Sequence, residues 1–222
     1  MAASLGALPD WDRFAASWSA MPLDTQLPEG HRYRRRRYAT LSALKGEDTF
    51  RIEPHQPHYQ AREYNQLVGG IERWFDPIPE RILATATFGR VMSYCLALFG
   101  SMRPDVDWHV EVHQFRIEAR RDVAGQPTPE GVHRDGVDYV LVLLVSRVNI
   151  ESGTTTVHDM SGNELGKFTL ATPLDSALVD DNRVKHGVTA VRAIRADEPA
   201  HRDVLVVTFR AKPSQDQRLS QA

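Results

Sequence analysis

At 222 residues, 41% of them hydrophobic, the chain can bury one sizeable core, and its 27 basic against 29 acidic residues leave a net charge of −2, so nothing draws it to nucleic acid or an anionic membrane. A single cysteine, Cys95, excludes an internal disulfide and suits a reducing, cytoplasmic compartment. Asp10 and Asp12 stand where a signal peptide would be apolar, and the longest apolar run, Tyr139 to Val145, is too short to span a membrane.

Trp11 to Trp18 spaces its aromatics along one face of a short helix, with Asp10 available as its N-cap. Met21 to Gly30, holding Pro22, Pro28 and Gly30, reads as a loop. His31 to Leu44 alternates Arg and Tyr as a strand would, until Pro54 and Pro57 break the pattern. Ile71 to Phe75 and Pro79 to Phe99 read as helices; the second keeps Ile82, Leu83, Ala86, Val91, Cys95, Leu98 and Phe99 near a 3.6-residue period, which makes Cys95 a core thiol.

From Trp108 the texture changes to strict alternation, with Val110, Val112, Gln114 and Arg116 opposing Glu111, His113, Phe115 and Ile117. Turn signals recur at Gly125 to Pro127, Ser152-Gly153, Ser161 to Asn163 and Asp180 to Asn182. The expected class is α+β in one domain spanning 1–222. An α-rich half over 1–107 supports and rims the pocket, a jelly-roll or cupin-like β core fills 108–212, and 213–222 is a polar tail.

His133-Arg134-Asp135 precedes the apolar strand, and a second histidine, His186, precedes Gly187-Val188-Thr189-Ala190. Side chains at i and i+2 point to the same side of an extended chain, so His133 and Asp135 can grip one ion while Arg134 points away. With His186 from a distant strand, two imidazoles and a carboxylate form the facial triad of non-heme Fe(II) oxygenases and leave three coordination sites open. The pairs His55/His58 and His109/His113 also have metal-like spacings, but Pro57 disrupts the first and the triad explains an iron site better. Asp159, beside His158, reads as a turn acid.

The segments Glu63-Tyr-Asn65 with Gly69-Gly70, His113-Gln-Phe-Arg116, Val132-His-Arg-Asp135, Gly153, Val184-Lys-His-Gly-Val-Thr189 and His201 to Phe209 occur in a consistent order. In them the chain resembles the double-stranded β-helix of 2-oxoglutarate/Fe(II) dioxygenases, within the bacterial group that includes the free L-isoleucine and L-leucine hydroxylases. The resemblance implies Fe(II) on His133, Asp135 and His186, with 2-oxoglutarate and O2 as co-substrates. It also implies hydroxylation of an unactivated C–H bond of a small molecule, a free aliphatic L-amino acid, with release of succinate and CO2.

2-Oxoglutarate leaves a distal carboxylate to be paired inside a low-dielectric barrel, and a planar guanidinium fork suits it best. Arg202 stands where the resembling family places that arginine, with Thr208 on the same strand face; Arg192, Arg195 and Arg210 are rivals by position. Arg116, beside Gln114 on an otherwise apolar strand, is read as facing inward to meet the substrate's carboxylate, or else as pairing with Asp107, Glu118 or another acid. His113 is read as facing the other way, packed or at the surface. Arg32 to Tyr38 reads as a mostly solvated face with one or two arginines at the pocket rim, and the near-neutral chain argues against RNA or DNA. A metal-dependent cupin that uses no 2-oxoglutarate, a hydroxylase or sensor acting on a peptide or carrier-bound substrate, and a homo-oligomeric state stay open at this point.

Overall fold

The computed structural model describes residues 2–27 and 33–212, so the polar tail 213–222 and Arg32 lie outside the described residues. Helices α1 (Ala2–Leu5) and α2 (Trp11–Ala16) lead through a 3-10 turn at Ser17–Ala20 to β1 (Arg34–Ala43). The short strands β2 (Arg51–Ile52), β3 (His58–Tyr59) and β4 (Glu72–Arg73) precede helices α3 (Glu80–Leu83) and α4 (Ala86–Met102). Nine strands follow among the described residues: β5 (Trp108–Ala119), β6 (Tyr139–Val148), β7 (Ile150–Ser152), β8 (Thr154–His158), β9 (Glu164–Thr169), β10 (Ser176–Asp180), β11 (Lys185–Val188), β12 (Val191–Ala193) and β13 (Ala200–Ala211). No helix among the described residues is long and apolar enough to cross a membrane.

Six strands form the major sheet in the order β10-β6-β13-β5-β1-β2, every pairing antiparallel, and β11-β8-β9 form a second, smaller sheet. The two enclose a cavity in the jelly-roll manner. One face of the major sheet carries Val110, Val112, Leu141, Leu143, Leu205, Val207 and Phe209, and packs on Phe14, Trp18, Phe88, Val91, Met92, Cys95 and Phe99 of the helical layer. The opposite face carries cross-strand rows running from β1 through β5 to β13: Arg34, Ile117 and Arg202; Arg36, Phe115 and Val204; Tyr38, His113 and Val206; Thr40, Glu111 and Thr208. Apolar burial therefore sits on one side of the sheet and chemistry on the other.

The expected α-rich N-terminal half is not what forms. Among the described residues only α4 exceeds two turns, while β1 contributes ten residues to the major sheet. Ile71 to Phe75 is extended rather than helical, because burial alternates there: Arg73 and Phe75 are buried while Glu72 and Trp74 are exposed, and Arg73 pairs with His58 across β3. The second expected helix is two helices. Thr85 ends α3 and caps α4, its hydroxyl accepting from Phe88 N at 3.2 Å. Asp10 makes no side-chain cap on its own helix; its carboxylate instead accepts from Ala86 N at 2.7 Å and from Thr87 N at 2.9 Å, tying α2 to the start of α4. Cys95 is a buried core thiol, and burial raises its pKa.

Trp18 joins the helical layer to the sheet. It is fully buried, and its indole N–H donates to the carbonyls of Phe115 at 3.1 Å and Val204 at 3.2 Å, beside the bulge between Asp203 and Val204. We expect Trp18→Phe, which leaves both carbonyls short of a donor, to cost about 1–3 kcal/mol. The measurement is the midpoint of urea unfolding; an unchanged midpoint would show the indole bonds to be dispensable.

Candidate active site

His133 follows the loop after β5, Asp135 lies two residues on, and His186 is on β11; an antiparallel bridge between His133 and His186 brings the two segments together. One ligand atom from each of the three residues lies within 4.8 Å of the others. Asp135 receives both histidines, with Oδ1 3.7 Å from His133 Nε2 and Oδ2 3.7 Å from His186 Nε2. His133 Nδ1 donates to the carbonyl of Gly131 at 3.0 Å. That bond fixes the ring, and once the second proton is lost to a metal it leaves Nε2 as the coordinating nitrogen. Burial opposes charge on His133, but Asp135 and Glu130 outweigh it and push its pKa up to about 9. Asp135 is pulled below its ordinary range by His133 and His186 against the opposing effect of burial.

Asp181 shapes the turn that presents Asp135. Fully buried, its carboxylate accepts from the backbone N–H groups of Asp135, Gly136 and Val137 at 3.0, 2.8 and 3.2 Å. Gly136 adopts φ 78°, and a Cβ there would stand 2.4 Å from the Tyr64 ring, so both conformation and space require glycine. Arg134 points out of the site as expected, donating to the Asp181 carbonyl and, at 3.0 Å, to Asn182 Oδ1.

The triad opens into a cavity of about 790 Å³ walled by Phe115, Ile117, Val140, Val142, Val204 and Val206. Arg202 lines it at 2% exposure, and its Nε and Nη2 are buried with no hydrogen-bond partner. Burial, and then the charge of neighbouring Arg147, lower its pKa to about 10, still a cation at neutral pH. Gly153, at φ 73°, lets the corner between β7 and β8 close on this pair, for a Cβ there would meet Val191 at 2.9 Å and the Arg147 guanidinium at 3.2 Å. Thr208 lines the cavity on the same strand face. Six residues of strand separate it from Arg202, about 20 Å of rise, so it cannot share one short dicarboxylate end with that arginine.

Gln114 and Arg116 lie on the other face of β5, which corrects their reading as inward substrate residues. Gln114 donates to Ser17 Oγ at 2.9 Å in the helical layer, and Arg116 forms a two-point bond to Asp203, both contacts 2.8 Å. The alternation of β5 was readable, but polar residues stand on both of its faces, and the acid that claims Arg116 comes from a strand far along the chain. The cavity face carries Glu111, His113, Phe115 and Ile117 instead. From β1, Arg34 and Arg36 are buried toward the cavity, while Arg35 pairs with Glu118 at 2.6 Å on the other side.

His58, Glu111 and His113 form a second group with ligand atoms within 4.8 Å, which sequence reasoning missed because His58 and Glu111 are far apart along the chain. Tyr38 OH donates to Glu111 Oε1 at 2.8 Å, and His58 Nδ1 donates to Oε2 at 2.9 Å. Burial works against the charge of Glu111, yet bonds from His109, His113 and His58 hold it well below the usual carboxylate range. Arg36 Nη2 donates to His113 Nδ1 at 3.0 Å. The neutral ring, its pKa driven down to about 3 by burial and then by Arg36, therefore keeps its proton on Nε2, toward Glu111. That nitrogen has no lone pair for a metal. This group is a polar brace under the cavity, and His133, Asp135 and His186 are the set equipped to coordinate.

Residues 15–208 match the 2OG-Fe dioxygenase family. A 3(1)-hydroxy-L-isoleucine 4-dioxygenase of Pantoea ananatis is 26% identical over 168 residues, covering 74% of this chain and 67% of that protein. An L-isoleucine-4-hydroxylase of Bacillus thuringiensis is 25% identical over 183 residues, covering 81% of this chain and 75% of the other. Among solved structures, a bsmA homolog from Methylobium petroleophilum PM1 superimposes with a TM-score of 0.85 at 34% identity, over 94% of this chain and 84% of that one.

We expect Asp181→Ala to weaken metal binding at the triad about 10–100-fold, as loss of a group that orients a ligand does. Titration of the purified protein with Fe(II) under nitrogen measures this, with circular dichroism to check the fold. Unaltered affinity would mean that the 135–137 turn holds itself.

Proposed function

Because the chain belongs to the 2OG-Fe dioxygenase family, its reagents are Fe(II), 2-oxoglutarate and dioxygen, and we propose that it hydroxylates an unactivated C–H bond of a free aliphatic L-amino acid. The supporting observation is a two-histidine, one-carboxylate set opening into the same cavity as a buried, unpaired guanidinium. His133, Asp135 and His186 would hold the iron, and the Arg202 fork would take the distal carboxylate of 2-oxoglutarate. Bound together, iron and 2-oxoglutarate supply the oxidising chemistry, in which one oxygen atom of O2 enters succinate as CO2 departs and the other enters the substrate.

What the chain contributes is placement. The Gly131 carbonyl and the Asp181 carboxylate keep two ligands aimed. The valine, isoleucine and phenylalanine walls exclude water and offer only apolar contact to a hydrocarbon side chain. Such walls separate neighbouring aliphatic amino acids by only about 1–3 kcal/mol per methylene, so several should be turned over. The isoleucine oxygenases among the relatives support this substrate class. The free, buried Cys95 fits a reducing cytoplasm.

The test is reconstitution with Fe(II) and 2-oxoglutarate under nitrogen, then exposure to oxygen with a panel of free amino acids while succinate and product mass are followed. Succinate driven by an aliphatic amino acid, with a product one oxygen heavier, is expected. Stimulation only by a peptide or carrier-bound substrate would overturn the amino-acid reading. His133→Ala, Asp135→Ala and His186→Ala should each abolish turnover with the β fold intact, and full activity in any one would remove that residue from the set. Arg202→Ala should raise the KM for 2-oxoglutarate at least about tenfold, since truncating one side of a desolvated ion pair typically costs about 2–5 kcal/mol. Lysine should restore only part of it, and an unaltered KM would send the search to other arginines.

A further inference from the structure

Three arginines among the described residues take a carboxylate through one edge, the parallel N–H groups of Nε and Nη2. Asp203 fills that edge on Arg116 with contacts of 2.8 and 2.8 Å, Glu198 fills it on Arg195, and Asp24 fills it on Arg34. Among the described residues two arginines hold the same Nε and Nη2 buried without a partner, Arg202 and Arg73. The first is accounted for by 2-oxoglutarate; the second is not.

Arg73 comes from β4, on the hairpin it makes with β3, and lies directly across from His58, which is bonded to Glu111. It lines the same cavity as the triad at 2% exposure, and its guanidinium carbon stands 5.8 Å from the centre of the Phe75 ring. Arg36, whose guanidinium is 3.8 Å from the same ring, differs in that its Nη2 is already bonded to His113. Arg73 stands on β4 of the two-stranded hairpin and Arg202 on β13 of the major sheet, so the two forks belong to different sheets. A cation stripped of water with two donors unmet is a standing cost unless an anion meets it in the working complex. A planar fork selects a carboxylate.

We propose that Arg73 is the seat of the substrate's carboxylate, and so the residue that makes this site specific for a free amino acid. The proposal rests on the amino-acid reading above. It assigns the reaction's two carboxylates to two buried forks. The one on β13 belongs to the β core, and the one on β4 belongs to a hairpin outside it. Recognition then depends on the carboxylate far more than on the side chain, so L-isoleucine amide and L-leucine amide should be poor ligands beside the parent acids.

The experiment compares wild type with Arg73→Ala and Arg73→Lys, using L-isoleucine, L-leucine and their amides. Each holoenzyme, loaded with Fe(II) and 2-oxoglutarate under nitrogen, is titrated calorimetrically with these ligands, and KM values for amino acid and 2-oxoglutarate are measured in air. Arg73→Ala should weaken amino-acid binding at least about thirtyfold, the equivalent of losing one side of a desolvated pair. It should leave the KM for 2-oxoglutarate unaltered and bind acid and amide nearly alike. Should the alanine variant fail to fold, Arg73→Lys keeps the charge, removes the fork and should show the same split to a smaller degree. Amino-acid binding as tight as wild type in the folded variants, or equal weakening toward 2-oxoglutarate, overturns the assignment. A wild type that binds and oxidises no free amino acid overturns the functional reading itself, a result that the variants cannot mimic.

Discussion

Strand β5 is hydrogen-bonded along both edges, to β1 over ten residue pairs and to β13 over twelve. With side chains alternating every second residue, a slip of one position in either pairing would turn Glu111, His113 and Arg202 into the helical layer and Val112, Leu205 and Val207 into the cavity. The hydrophobic face prevents this, since those valines and leucines are fully buried against α2 and α4. Helical packing on one side of the sheet thus sets the address of every charged group on the other.

On the cavity face the governing constraint is desolvation. A buried guanidinium is tolerated when an acid, an aromatic face or a ligand meets it. Arg34 has Asp24 and Arg36 lies between the rings of Phe75 and Phe115, while Arg116 on the opposite face has Asp203. Glu111 is the converse, an anion surrounded by donors from Tyr38, His58, His109 and His113. Among the described residues only Arg202 and Arg73 keep both Nε and Nη2 buried without a partner, which is why the proposals above turn on them. On the proposed assignment the co-substrate would be met by the major sheet, through Arg202 on β13, and the substrate by the separate β3–β4 hairpin, through Arg73.

The grouping of His133, Asp135 and His186 was legible because its signal is local. His133 and Asp135 share a face by spacing alone, and His186 sits before a short apolar strand. The jelly-roll core from Trp108 onward was legible too, as alternation with recurring turns. What the sequence hid are the interactions closed over long separations. Gln114 and Arg116 looked inward because they share a strand face with valines, yet that face is the helical one, and their partners Ser17 and Asp203 are remote in the chain. His58 and Arg73 lie on strands of two residues, too short for periodicity to register, and the period of Ile71 to Phe75 is two where it was read as helical. The β1 arginines were placed on a strand correctly, but their alternation gives no sign of which face is dry.

The two histidine and carboxylate groups in this cavity use similar residue types and similar spacing to opposite ends. In the triad a backbone carbonyl accepts the Nδ1 proton of His133, so the neutral form of the ring has its lone pair on Nε2. In the brace an arginine occupies Nδ1 of His113, so Nε2 carries the proton and can only donate. Which nitrogen holds a single proton therefore separates a metal ligand from a structural hydrogen bond, and that choice is made by whether the neighbour at Nδ1 accepts or donates. A carbonyl two residues away is a local feature of the turn before His133, whereas the donor at His113 arrives from another strand. Composition and spacing cannot distinguish the two cases; the tertiary neighbour of one nitrogen does.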